Sequence, residues 1–76
     1  MFYVYVLRNS GTQELYYGYT NDIQRRVAEH KKEKNWDLLY YEAYKAEKDA
    51  RMRERRLKNY AQALTALKVR LNESLK

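Results

Sequence analysis

Two short stretches, "YVY" at residues 3–5 and "YYG" at residues 16–18, concentrate phenols where a chain with only two glycines places one of them, Gly18. Nine tyrosines in 76 residues is a heavy load of groups that stack on bases and donate hydrogen bonds to phosphates. Arg26 and His30 follow, one helical turn apart, and Glu54 sits in the charged run "RMRERR". The formal net charge is +6, and residues 23–34 and 47–59 each carry +3. A polyanionic partner is the default inference, and nucleic acid is the commonest polyanion.

These groups need elements to position them. "FYVYVL", residues 2–7, is β-branched and aromatic throughout and predicts a strand. Asn9, Ser10 and Gly11 supply turn chemistry before "LYYGYT" resumes strand composition, so the two runs make a hairpin. Tyr3 and Tyr5 share a strand face, whereas Tyr16 and Tyr17 cannot; Tyr5 and Tyr16 meet on one face if the register allows. Thr20 or Asn21 is the expected N-cap of a helix running from about Asp22 to Lys34. On that helix Arg26 and His30 fall within about 60° of Ile23, beside the stripe that packs on the sheet. "WDLLYYEAY", residues 36–44, predicts a third strand. A second helix follows, with Ala46, Ala50 and Leu57 on one face. A third carries Tyr60, Leu64, Leu67, Leu71 and Leu75 at helical spacing. The order is ββαβαα, an α+β domain over residues 1–76 with a three-stranded, mostly antiparallel sheet flanked by helices. Trp36 reads as a core plug or loop anchor, with stacking on an exposed base as the alternative.

A chain this short buries only roughly 60% of its unfolded surface. It has no cysteine, which excludes disulfides and thiolate zinc sites and fits a cytoplasmic setting. "MFYVYVL" lacks the basic n-region of a signal peptide, and no apolar run approaches a membrane span, so no membrane partner is expected.

In this order and spacing, Tyr5 closing "YVY", Tyr16 and Gly18 in "YYG", Arg26 and His30 in "NDIQRRVAEH", and Glu54 in "KDARMRERRLKN" resemble the GIY-YIG nuclease family. The likeness covers residues 2 to about 60 and is closest to small stand-alone bacterial members similar to the structure-specific endonucleases. It implies Mg²⁺-dependent (or Mn²⁺-dependent) hydrolysis of phosphodiester bonds in branched or damaged DNA, a role in DNA repair. Tyr5 or Tyr16 would accept the proton of the attacking water, Arg26 would bind the charged phosphate through two hydrogen bonds, and His30 would relay a proton. Glu54 would hold one Mg²⁺ with water completing its shell. Gly18, on the strand face of Tyr16, would leave room for the phosphate. Arg25, Lys31 and Arg53 are the candidate DNA-contacting cations.

Tyr19 follows Gly18 where some members carry lysine, and Ala66 stands where some carry a late asparagine. The segment "KKEKNWD" is shorter than the basic loop of many relatives. A rival reading is a nucleic-acid-binding module of the same fold that cleaves weakly or not at all. A third is a basic scaffold that meets a protein partner or a second copy through the C-terminal helix. In that bland view the tyrosines are cross-strand packing, and Glu54 is an i,i+4 salt-bridge partner.

Overall fold

The β-branched and aromatic residues nearest the N-terminus form the strand on which everything else rests. In the computed structural model, which describes residues 1–32 and 35–76, β1 spans Phe2–Asn9, β2 Leu15–Thr20 and β3 Trp36–Tyr44. The sheet order is β2-β1-β3, antiparallel on both sides of β1. Helix α1 spans Ile23–Lys31, α2 Glu47–Asn59 and α3 Ala61–Arg70, so the architecture is α+β in the order ββαβαα.

A central strand is buried on both faces, and Val4, Tyr5, Val6 and Leu7 are each 1% exposed. Strand alternation sends Val4 and Val6 to one face, where they pack with Ala50 and Leu57 of α2 and with Leu67 and Leu71. Tyr5 and Leu7 point to the other face, toward α1. Burying each such side chain contributes about 1.5–3 kcal/mol, so this two-sided core is the main source of stability.

Local chemistry sets the connections. In the hairpin, the Asn9 side-chain oxygen accepts from Gly11 N–H at 2.9 Å and Thr12 N–H at 3.0 Å. The left-handed position there is Gln13 (φ 66°), and Gly11 is not at positive φ. The cap of α1 is one residue later than the sequence suggests: Asp22 accepts from Arg25 N–H at 3.1 Å. Thr20 instead accepts from Asp22 N–H at 3.0 Å and so positions the cap. The helix ends at Lys31, short of the expected Lys34, which lies outside the described residues.

Three other expectations need correction. Ala46 is exposed and forms the N-cap of α2. Tyr60 is 60% exposed, because the chain leaves helical geometry there between α2 and α3. Leu75 lies beyond the end of α3 but still packs against the core, and the stripe of Leu67 and Leu71 is spent within the molecule.

Arg53 does not face the tyrosine site. Its guanidinium grips Glu42 of β3 through Nε at 3.0 Å and Nη2 at 3.1 Å, with side chains only 25% and 13% exposed. Tyr40 donates to the same carboxylate at 2.7 Å, and Tyr44 donates to its other oxygen. Burial raises the Glu42 pKa, but Arg53 and the two hydroxyls outweigh it and hold the carboxyl below its ordinary 4.5. The sign follows: this contribution is present above pH 4.5 and is lost as acid protonates Glu42. Glu42→Ala strands a half-buried guanidinium and is expected to cost about 1–3 kcal/mol, below the cost of breaking a fully buried pair. Urea melts at neutral pH and at pH 3 check both: the gap between wild type and variant narrows in acid.

Candidate functional site

On the α1 face of the sheet, Tyr5 of β1 pairs directly with Gly18 of β2, and Leu7 with Tyr16. Equal-face residues on neighbouring strands are thereby Tyr5, Leu7, Tyr16 and Gly18. A β-carbon on Gly18 would lie 2.2 Å from Tyr5 Cζ and 2.2 Å from its hydroxyl oxygen. The glycine therefore clears the Tyr5 ring, which lies across its backbone. This replaces the sequence-based reason, which reserved the space for a phosphate.

Helix α1 brings its polar edge to the same place. Arg26 Nε–H donates to the Tyr5 hydroxyl at 2.9 Å. The rings of Tyr5, Tyr16 and His30 form a triangle, with centroid separations of 6.3 Å (Tyr5–Tyr16), 6.1 Å (Tyr5–His30) and 5.7 Å (Tyr16–His30). Trp36 stands edge-on to Tyr16 at 6.4 Å. The two candidate phenols differ sharply in access: Tyr5 is 1% exposed and Tyr16 is 40% exposed.

Electrostatics separates them further. Burial raises the Tyr5 pKa above its ordinary 10.0; the bond and charge of Arg26 oppose this, and the charges of Tyr16 and Glu54 add to it. Tyr5 is a neutral phenol at neutral pH, with an acceptor site occupied by Arg26. The bond to Tyr5 in turn holds Arg26 more firmly protonated, with Glu29 and Tyr16 contributing in the same direction.

Glu54 stands on α2, on the other side of the sheet, and its negative charge adds to the upward shift of the Tyr5 phenol. It is partly buried and pairs with Lys58 at 3.7 Å. Among the described residues no three His, Cys, Asp or Glu side chains gather as a metal cage. A lone carboxylate fits Mg²⁺ or Mn²⁺, which accept water and substrate phosphate as their other ligands, and it does not fit zinc.

The structure thus gathers Tyr5, Tyr16, Gly18, Arg26 and His30, sets Glu54 within electrostatic range, and leaves Arg53 elsewhere. Arg25 is exposed and pairs with Glu29 at 3.8 Å. Lys31 is exposed at the rim of an apolar groove of about 410 Å³ between α1 and β3, with Val27, Leu38 and Tyr41. Arg25 and Arg26 line a polar groove of about 400 Å³ together with Glu47 and Arg51. Arg51 lies over the Tyr19 ring at 5.1 Å and pairs with Glu47 at 3.3 Å. Glu29 is not among the groups that the sequence marks, and Arg51 is marked only as one cation of the charged run Arg51, Arg53, Arg55, Arg56 and Lys58, of which part can face DNA. The i,i+3 and i,i+4 spacing of Glu29 from the two arginines was the available signal for the first. The same i,i+4 spacing from Glu47 marked the second, but its partner ring, Tyr19, lies on another element.

The family model of the GIY-YIG catalytic domain matches residues 1–68. No curated protein and no solved structure matches the chain. No helix among the described residues is long and apolar enough to cross a membrane.

Proposed function

Since the chain belongs to the GIY-YIG family, a nuclease family, we propose that it is a Mg²⁺-dependent DNA endonuclease acting on branched or damaged DNA, in a cytoplasmic repair setting. The observation that carries this is the Arg26 bond to a buried Tyr5 beside an accessible Tyr16. Hydrolysis requires a base for the attacking water and positive charge for the phosphate oxygens. Tyr16, open to solvent, accepts the water proton as phenolate. His30, its ring centroid 5.7 Å from that of Tyr16, is the adjacent group to which that proton can pass.

Arg26 donates to the phosphate as charge accumulates, with a planar fork that can make two bonds at once. Tyr5 is a positioning residue: its hydroxyl accepts from Nε and fixes the plane of the guanidinium, whose Nη1 donates to Glu29 at 3.2 Å until a substrate phosphate competes for it. Glu54 would hold the Mg²⁺, which supplies Lewis-acid stabilisation of the phosphate and leaving oxygens when bound. Arg25, Arg26 and Arg51 along the polar groove offer a path for the backbone, with Lys31 at the far end of α1. A small domain contacts too little DNA to read a long site, so it selects shape or relies on a protein partner.

The Glu54–Lys58 ion pair favours one second reading, a module that binds DNA without cutting it. Tyr16→Phe and Glu54→Ala separate the two. Under the endonuclease reading both variants lose nicking of a flap substrate while binding it nearly as well as wild type. If wild type binds the flap and never nicks it in Mg²⁺ or Mn²⁺, the binding-module reading stands instead.

A further inference from the structure

Trp36 has no part in the chemistry above, yet it forms a wall of a cavity that shares Tyr16 with the proposed site. The cavity measures about 260 Å³ and is lined by Leu7, Tyr16, His30 and Trp36. Leu7, 1% exposed, is an apolar wall, and the other three walls are rings. A void of about 150 Å³ is enough to take benzene, so this one has room for a six-membered heterocycle or a purine.

The backbone presets Trp36. The β1–β3 register shifts between Val6 and Leu7, beside the cavity, and resumes with Leu7 opposite Leu38, which brings Asn9 opposite Trp36. Asn35, immediately before the tryptophan, holds a left-handed φ of 76°. Its carbonyl accepts from Ser10 N–H at 2.7 Å, which ties this turn to the hairpin loop. A left-handed residue directly before a side chain and a bulge three residues after it are devices that re-aim it.

We propose that this cavity receives a single unpaired nucleobase from the nucleotide adjoining the scissile phosphate. The inference rests on the endonuclease reading of Tyr16 and names the substrate class: DNA that offers an extrahelical base. Every nucleobase has a π-face to stack on Trp36 and polar edges that the His30 ring and the Tyr16 hydroxyl can meet. In intact duplex that base is stacked and paired, and extracting it costs energy. At a bulge, flap or mismatch it is nearly free, so the pocket discriminates structure without reading sequence.

Trp36 is the sole tryptophan of the chain, so its fluorescence reports the pocket directly. Wild-type protein is titrated in EDTA with three duplexes: one with a bulged nucleotide, the same bulge carrying an abasic residue, and the fully paired control. Binding is followed in parallel by anisotropy. The expected result is tryptophan quenching by the bulge alone. Trp36→Ala should weaken binding of the bulged duplex by roughly ten- to a hundredfold, with Trp36→Phe restoring most of it. Equal quenching by all three duplexes, or binding of the bulge without quenching, overturns the proposal. Cleavage is scored separately in Mg²⁺. A protein that cuts without base-dependent quenching keeps its endonuclease reading and loses the pocket, and one that quenches but never cuts does the reverse.

Discussion

Arg26→Ala should lower cleavage by about 10²–10³-fold, the loss typical of removing one donor to a developing oxyanion. The effect is expected mainly in kcat, because ground-state contacts to DNA are shared with Arg25 and Arg51 along the groove. Arg26→Lys should not restore the rate. Nε of Arg26 donates to Tyr5 at 2.9 Å while Nη1 meets Glu29 at 3.2 Å, and an ammonium cannot divide its bonds in that planar geometry. Single-turnover cleavage beside anisotropy binding separates rate from affinity. Cleavage by Arg26→Lys at the wild-type rate would show that only charge is needed there, and would remove the role assigned to Tyr5.

The second large effect is structural. Gly18→Ala puts a methyl 2.2 Å from Tyr5 Cζ and its hydroxyl oxygen, with 2.8 Å to Cε1. The ring is fully enclosed, so it cannot swing away without opening the sheet face. Overpacking of this kind costs about 1–3 kcal/mol, which for a domain of this size lowers Tm by roughly 4–24 °C. The displaced phenol also releases Arg26, so activity falls by more than the stability loss explains. A cycle with Tyr5→Ala gives the signature: in that background Gly18→Ala should cost little, since the clashing ring is gone. Additive losses in the double variant would contradict the packing account of this glycine.

The fold was open to sequence reading where local pattern decides it. The limits of β2 and β3 follow from composition and turn residues, and both strands run where expected, over Leu15–Thr20 and Trp36–Tyr44. The meeting of Tyr5 with Tyr16, conditional on register, is met by the Leu7–Tyr16 and Tyr5–Gly18 pairs. What escaped depends on partners distant in sequence. Arg53 looked like a DNA contact because a run of cations has no visible address. Its actual address, Glu42, lies on a different element, with two tyrosine hydroxyls on the same carboxylate. The reason for Gly18 was misread in the same way, since only the hairpin register lays the Tyr5 ring over it. Likewise Tyr60 matched the spacing of the apolar stripe, but spacing does not reveal that the helix breaks there. Tyr5 and Tyr16 were equivalent in sequence and become distinct only through burial, which the central and edge positions of their strands impose.

The central claim is that the cluster of Tyr16, Arg26 and Glu54 cuts DNA with a divalent cation. The direct measurement is strand nicking by purified wild-type protein across flap, junction, bulged and fully paired DNA, in Mg²⁺, in Mn²⁺ and in EDTA. The expected result is metal-dependent nicking of the branched or bulged forms, little of the paired duplex, and none in EDTA. Intact substrates in both metals, at protein concentrations where every DNA is bound, would contradict it.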